Sequence, residues 1–241
     1  MGAIVSWIAV VLALASVAMV LLAGPGYRLG LWGVKSGVLA MSGAAIVAAL
    51  AGVLGLIGIL LVMGSGAAQA RWMSGLALVV GLVIAVPLLV QGARSRQLPR
   101  IHDISTAPDE PLLFVAILPL RQGAPNSAAH DAKAAAAQKK GYPDIAPLVL
   151  RLAPALAFER AEKAAIAMGW AMVAVEPSEM RIEATATSRL FGFKDDVVIR
   201  ITPQGEGGSR VDMRSLSRVG VSDLGANAQR IRDYFARLAA F

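Results

Sequence analysis

Two histidine–carboxylate dipeptides, His102-Asp103 and His130-Asp131, hold both histidines of this 241-residue chain. A carboxylate beside an imidazole can fix its tautomer, as in hydrolytic triads and behind metal ligands. His102-Asp103 is therefore the candidate catalytic pair for a hydrolase, with Ser217 as the only nucleophile considered. Ser217 lacks a nucleophile elbow, and no third histidine or any cysteine exists to complete a ligand set. The simpler account is that Asp103 or Ser105 caps a turn while His102 faces a polar surface. Asp195-Asp196 has the composition of an acid/base pair or a hard-cation site. Neighbours on a strand point to opposite faces, however, so structural roles are expected: Asp195 at the turn after Gly192, Asp196 paired with an arginine. Alternation in Arg214-Ser215-Leu216-Ser217-Arg218 puts the two arginines on one face, about 14 Å apart at roughly 3.4 Å per residue. With Arg189 and His102, they are the candidate grip for an acidic lipid headgroup or an acidic envelope protein. Cross-strand ion pairs with Glu183 or Asp196 are the competing account. Asp223 and Asn227 read first as parts of a helix N-cap and second as the wall of a polar pocket. No metal site and no cofactor are expected.

The elements that position these residues begin with a helix in which Phe158, Ala161, Ala165 and Met168 share a face and Gly169 ends the run. Trp170–Glu176 is a strand, and Pro177-Ser178-Glu179 turns it back. In the next strand Met180, Ile182, Ala184 and Ala186 alternate with Arg181, Glu183, Thr185 and Thr187, which predicts one buried face and one wet face. Val197–Thr202 and Arg210–Arg218 add two strands, joined by the glycine-rich loop Pro203–Gly208. A final helix carries Leu224, Ala228, Ile231, Phe235 and Leu238 on one stripe. Ala128–Lys140 is predicted as a surface helix without a stripe to bury. Residues 97–111, interrupted by prolines, read as a linker, and residues 112–241 as an α+β domain with an antiparallel sheet covered by helices.

Residues 1–96 belong to a different solvent. No Asp or Glu occurs before Asp103, and three apolar runs, at about 3–23, 38–63 and 73–90, each reach the roughly 18–20 residues that span a bilayer core. The chain is thus expected to be a multi-pass membrane protein with a three-helix transmembrane anchor, its first run a retained helix. Trp7, Tyr27, Trp32 and Trp72 sit near the ends of runs, as headgroup anchors do. Ala44, Ala48 and Gly52 recur every four residues; they predict close packing within the three-helix unit first and a homo-oligomer seam second. No ionisable residue falls within a run, which argues against a proton relay or an ion path. Of the 23 basic residues, 18 face 16 acids from position 97 onward, so the net charge of +7 and pI near 10.2 arise beside the membrane and do not point to nucleic acid.

Pro99–Thr106, Tyr142-Pro143-Asp144-Ile145, Phe193–Val198, Met213–Gly220 and Ser222–Asn227, in that order, together resemble the domain of unknown function family numbered 1499. The resemblance runs from about Pro99 to the C-terminus and brings no known reaction or ligand. Similar domains occur behind export and lipoprotein signals, which implies the periplasmic side of a bacterial plasma membrane. The charge count points the other way, because Arg28, Lys35, Arg94, Arg96 and Arg100 share one side and predict a cytoplasmic domain. The function expected is that of a membrane-anchored binding or scaffolding module; the alternative is a membrane-bound hydrolase using His102-Asp103.

Overall fold

The computed structural model describes residues 1–241. It divides into two compact units: Met1–Gln97 with Leu190–Gly192, and Leu98–Arg189 with Phe193–Phe241.

The first unit contains helices α1 (Gly2–Arg28), α2 (Val34–Val62) and α3 (Ala68–Ser95), each long and apolar enough to cross a membrane. Their packing inverts that of a water-soluble bundle. Ala9, Ala13, Ala44, Ala48, Ala51 and Ala77 are buried, whereas Leu14, Leu60 and Val83 face outward. Large apolar side chains gain nothing by hiding from lipid, so small residues occupy the contacts and let backbones approach. A Cβ built on Gly81 would lie 2.6 Å from the Ala48 carbonyl oxygen and 2.6 Å from the Gly52 nitrogen. Ser74 donates a hydrogen bond to Ser6 at 2.8 Å, joining α3 to α1. Ala44, Ala48 and Gly52 are all buried inside this unit. Trp7 and Trp72 are exposed, while Trp32 turns back to donate to the Ala23 carbonyl at 3.0 Å.

The second unit is built on a six-stranded antiparallel sheet. Its strands are β1 (Asp103–Ser105), β2 (Leu148–Leu150), β3 (Ala171–Glu176), β4 (Arg181–Thr187), β5 (Lys194–Gln204) and β6 (Gly208–Ser217). The spatial order is β1-β6-β5-β4-β3, and β2 also pairs with β6. The β3–β6 meander matches the sequence expectation. Two short strands do not: β1 lies inside the segment expected to be a linker, pairing Asp103 with Leu216 and Ser105 with Arg214. Three residues carry too little alternation to register as a strand, and the neighbouring prolines mask them.

Helices α5 (Pro154–Ala167) and α6 (Ala226–Ala239) cover one face, where Phe158, Ala161, Ile231 and Tyr234 pack on Ile182, Val197, Ile199, Val211 and Met213. The opposite face corrects the expectation of a wet surface. Glu183 and Thr185 are buried beneath the segment that follows β1, whose Leu112, Phe114 and Ile117 form a small core with Val198 and Leu216. That covering segment runs into a 3-10 turn at Leu118–Arg121. Helix α4 (Ala132–Gly141) starts at Asp131, whose carboxylate accepts from Lys133 N and Ala134 N. It is tied down rather than loose on the surface: the Gln138 amide accepts from Ser105 N at 2.9 Å and donates to Ser105 O at 2.6 Å. The side-chain amide thereby acts as one more peptide group beside β1, satisfying an edge that would otherwise be orphaned.

Candidate functional site

The buried charged residues of β4, β5 and β6 on the covered face are all paired within the fold. Glu183 is buried and receives the N–H groups of Val115, Ala116 and Ile117 at 2.9–3.2 Å, together with Arg181. Asp196 is held by Arg121 at 2.6 Å, by Arg218 at 2.8 and 2.9 Å, and by the Thr185 hydroxyl at 2.8 Å. Arg214 is fully buried: it grips Asp103 through two bonds of 2.9 and 2.7 Å, donates to the carbonyls of Leu112 and Ala128, and stacks on Phe114. A buried guanidinium is tolerated only where its donors are matched in this way. The expected open grip at Arg214 and Arg218 is therefore absent; ion pairing holds both, and the pairing of Asp196 with an arginine is observed. Asp195 does not hold the turn after Gly192. It pairs instead with Arg230 on α6 at 2.5 Å.

On the helical face, Asn227 joins the start of α6 to the sheet edge. It accepts from Ser215 and Arg230 and donates to the His102 carbonyl at 3.0 Å and to Ser217 at 2.9 Å. Asp223 accepts from Gly225 N at 2.9 Å and Asn227 N at 2.8 Å, reaching the first turn of α6 from two residues ahead of Gly225, which occupies the N-cap position itself. Burial pushes its carboxyl above the usual range, and the charge of Asp195 adds to the rise, while the two N–H groups and the Asn227 side chain oppose it.

These arrangements separate the members of the hydrolase candidate. Asp103 is committed to Arg214, the Ser217 hydroxyl to Asn227, and the His102 Nδ1 lies 3.5 Å from the Val221 carbonyl oxygen. No three His, Asp or Glu side chains gather at metal-binding spacing. His102, Arg214 and Asp223 do not converge, and Arg189 is exposed in the loop between β4 and β5.

Among the clefts of this unit, one of about 530 Å³ lies between the β1 edge, the Pro125–Ala129 loop and α4. Arg100, His102, Asp103, Asp131 and Lys133 all contribute to its wall. Both acids are already answered, Asp103 by Arg214 and Asp131 by the first N–H groups of α4. Arg100, His102 and Lys133 form no salt bridge. The cleft therefore carries positive charge without an internal counter-ion. Of this wall, His102, Asp103 and Asp131 belong to the histidine–carboxylate dipeptides that stand out in the sequence. Arg100 and Lys133 sit in a proline-flanked segment and an alanine-rich helix, where a single base carries no pattern. Arg121, Arg230 and Gln138 were missed for the same reason: each is joined to its partner only by tertiary contact.

A family model described as "Protein of unknown function (DUF1499)" matches residues 103–238, more than half of the chain. No curated protein matches it. The match opens at β1 and closes in α6, so the paired carboxylates and arginines described above all lie within it or one strand turn from its edge. The chain belongs to the DUF1499 family of proteins of unknown function.

Proposed function

We propose that the protein is a membrane-anchored binding module of the bacterial plasma membrane, whose ligand enters the cleft beside β1. The observation that carries this reading is the contrast within the cleft: its two carboxylates are internally matched, whereas the charges of Arg100 and Lys133 are not. Unmatched charge held on a fixed scaffold favours a ligand that supplies the missing sign. Anchoring by three apolar helices assists weak binding, because tethering to a surface raises the effective concentration of anything else confined there. The hydrolase reading has less support, since a general base needs its orienting carboxylate and its nucleophile within hydrogen-bond reach, and Asp103 and Ser217 are engaged elsewhere. Following the family resemblance, we assign the domain to the periplasmic side.

Replacement of Ala129, on the cleft wall, by photoreactive benzoylphenylalanine tests the reading in cells. A discrete adduct, detected by mass of the purified chain, is expected there and not from the same substitution at Glu206 in the β5–β6 turn. No adduct from Ala129, or the same adducts from both positions, would overturn it.

A further inference from the structure

Resting on that reading, we propose that the cleft beside β1 binds a phosphate group, carried either by a lipid headgroup or by a soluble phosphate ester. Three groups of its wall that form no salt bridge differ in kind: the planar fork of Arg100, the imidazole of His102 and the ammonium of Lys133. A carboxylate is satisfied by one guanidinium fork, which uses both of its oxygens. Three separate donors lining one cleft suit an acceptor with three free oxygens and a charge greater than one, which describes a phosphate monoester, and a diester in part.

The walls argue against repulsion of such a group. Asp103 lies in the cleft, but Arg214 holds it bidentately from beneath. Asp131 lies there too, with its carboxylate turned onto the N–H groups of Lys133 and Ala134. The rest of the lining is largely small or apolar, with Ile101, Pro125, Ala137 and Val221 among it, and the volume of about 530 Å³ exceeds what a bare phosphate needs. It lies within the range of roughly 300–1,000 Å³ that accommodates an organic ligand, so the phosphate would arrive with a carbon-bearing group attached. Arg200 provides the internal control: it is an exposed base in β5 with no ion-pair partner, and it does not line this cleft.

The test uses the full chain in dodecyl maltoside micelles, in phosphate-free buffer at about 0.15 M salt, where diffuse surface attraction is screened. One arm titrates inorganic phosphate and glycerol 3-phosphate; the other adds phosphatidylglycerol to the micelles, with diacylglycerol as the uncharged comparison. Saturable binding, read by thermophoresis, is expected in at least one arm, and the tighter arm identifies the source of the phosphate. In the double variant Arg100→Gln/Lys133→Gln the dissociation constant should rise at least tenfold, with circular dichroism unchanged, while Arg200→Gln should bind as wild type. Absence of saturable binding in both arms, equal binding by the double variant, or equal weakening by Arg200→Gln would overturn the proposal. If the Ala129 adduct forms while both arms fail, the phosphate assignment falls and the binding module stands; if the adduct also fails, both fall.

Discussion

Tyr142 and Tyr234 share the same core but differ in one hydrogen bond. The Tyr234 hydroxyl donates to the Ala161 carbonyl at 2.9 Å, whereas the buried Tyr142 hydroxyl has no partner. Burial raises the pKa of both phenols, and the charge of Asp223 raises that of Tyr142 further. A buried polar group without a partner opposes folding, whereas a satisfied one contributes about 1 kcal/mol. Tyr142→Phe should therefore leave stability unchanged or raise it by up to about 1 kcal/mol, and Tyr234→Phe should lower it by about 1 kcal/mol. Denaturation of the full chain in detergent, followed by near-ultraviolet circular dichroism, checks the pair; equal losses would contradict the assignment. Asp223 provides a pH dependence. Its carboxyl is raised, chiefly by burial, so the fold favours the protonated form. Its contribution is most favourable at acid pH and is lost as pH rises from the usual carboxylate range through the raised value. Asp223→Asn keeps an acceptor for the α6 cap without the charge. The melting temperature of wild type minus that of Asp223→Asn should fall as pH rises above the usual carboxylate range, and a flat difference would contradict the shift. The roles of these residues were partly legible: an Asp just before an apolar stripe reads as a cap. The matching of Arg214 by Asp103 was not, because the two lie 111 positions apart.

The element that most changes the picture is the covering segment from Leu112 to Arg121. Period-two alternation in β4 correctly separates Ile182, Ala184 and Ala186 from Glu183 and Thr185, yet both sets are buried. A charged residue in a strand normally signals water, and nothing local to β4 states that a distant loop will cover it. Glu183 is the tie, since its carboxylate meets three successive N–H groups of that segment. Glu183→Ala would leave those donors without a partner, and the penalty for such buried groups is about 1–3 kcal/mol each before relaxation. A loss of roughly 3 kcal/mol is expected, with Glu183→Gln intermediate because its carbonyl retains part of the acceptor capacity. Hydrogen exchange should accelerate in residues 112–121 while α5 and α6 stay protected. Unchanged exchange in that segment would show that Glu183 does not hold it. Helix α4 is a parallel case: its alanine-rich composition reads as a solvated helix, and only the docking of Gln138 on β1 makes it part of the fold.

At the scale of the whole molecule, the two units follow opposite packing rules because their solvents differ. In the first, large apolar side chains face outward and small ones meet inside; in the second, helices bury their apolar stripes against a sheet. The absence of native cysteine allows a direct measurement of sidedness. The β5–β6 turn, where Gly205 and Gly207 take positive φ of 60° and 72°, is exposed and tolerates a reporter at Glu206. With Glu206→Cys, a membrane-impermeant maleimide should label cells whose outer membrane alone is permeabilised, if the domain is periplasmic as proposed. Labelling only after the inner membrane is lysed would assign it to the cytoplasm, in line with the distribution of Arg28, Lys35, Arg94, Arg96 and Arg100.

By itself, the order of residues determined the division between lipid-solvated and water-solvated chain, the β3–β6 meander, its terminal helix and the family. The first three rest on composition and periodicity, which are local and repeat over many residues; the family rests on several short motifs in a fixed order. Tertiary structure alone decided that Arg214 and Arg218 lie within ion-paired clusters, that the second face of the sheet is covered, and that Arg100, His102 and Lys133 share a cleft. Each of these depends on a single pair or trio of side chains brought together from distant positions, and a charge carries no mark of its partner until the chain has folded.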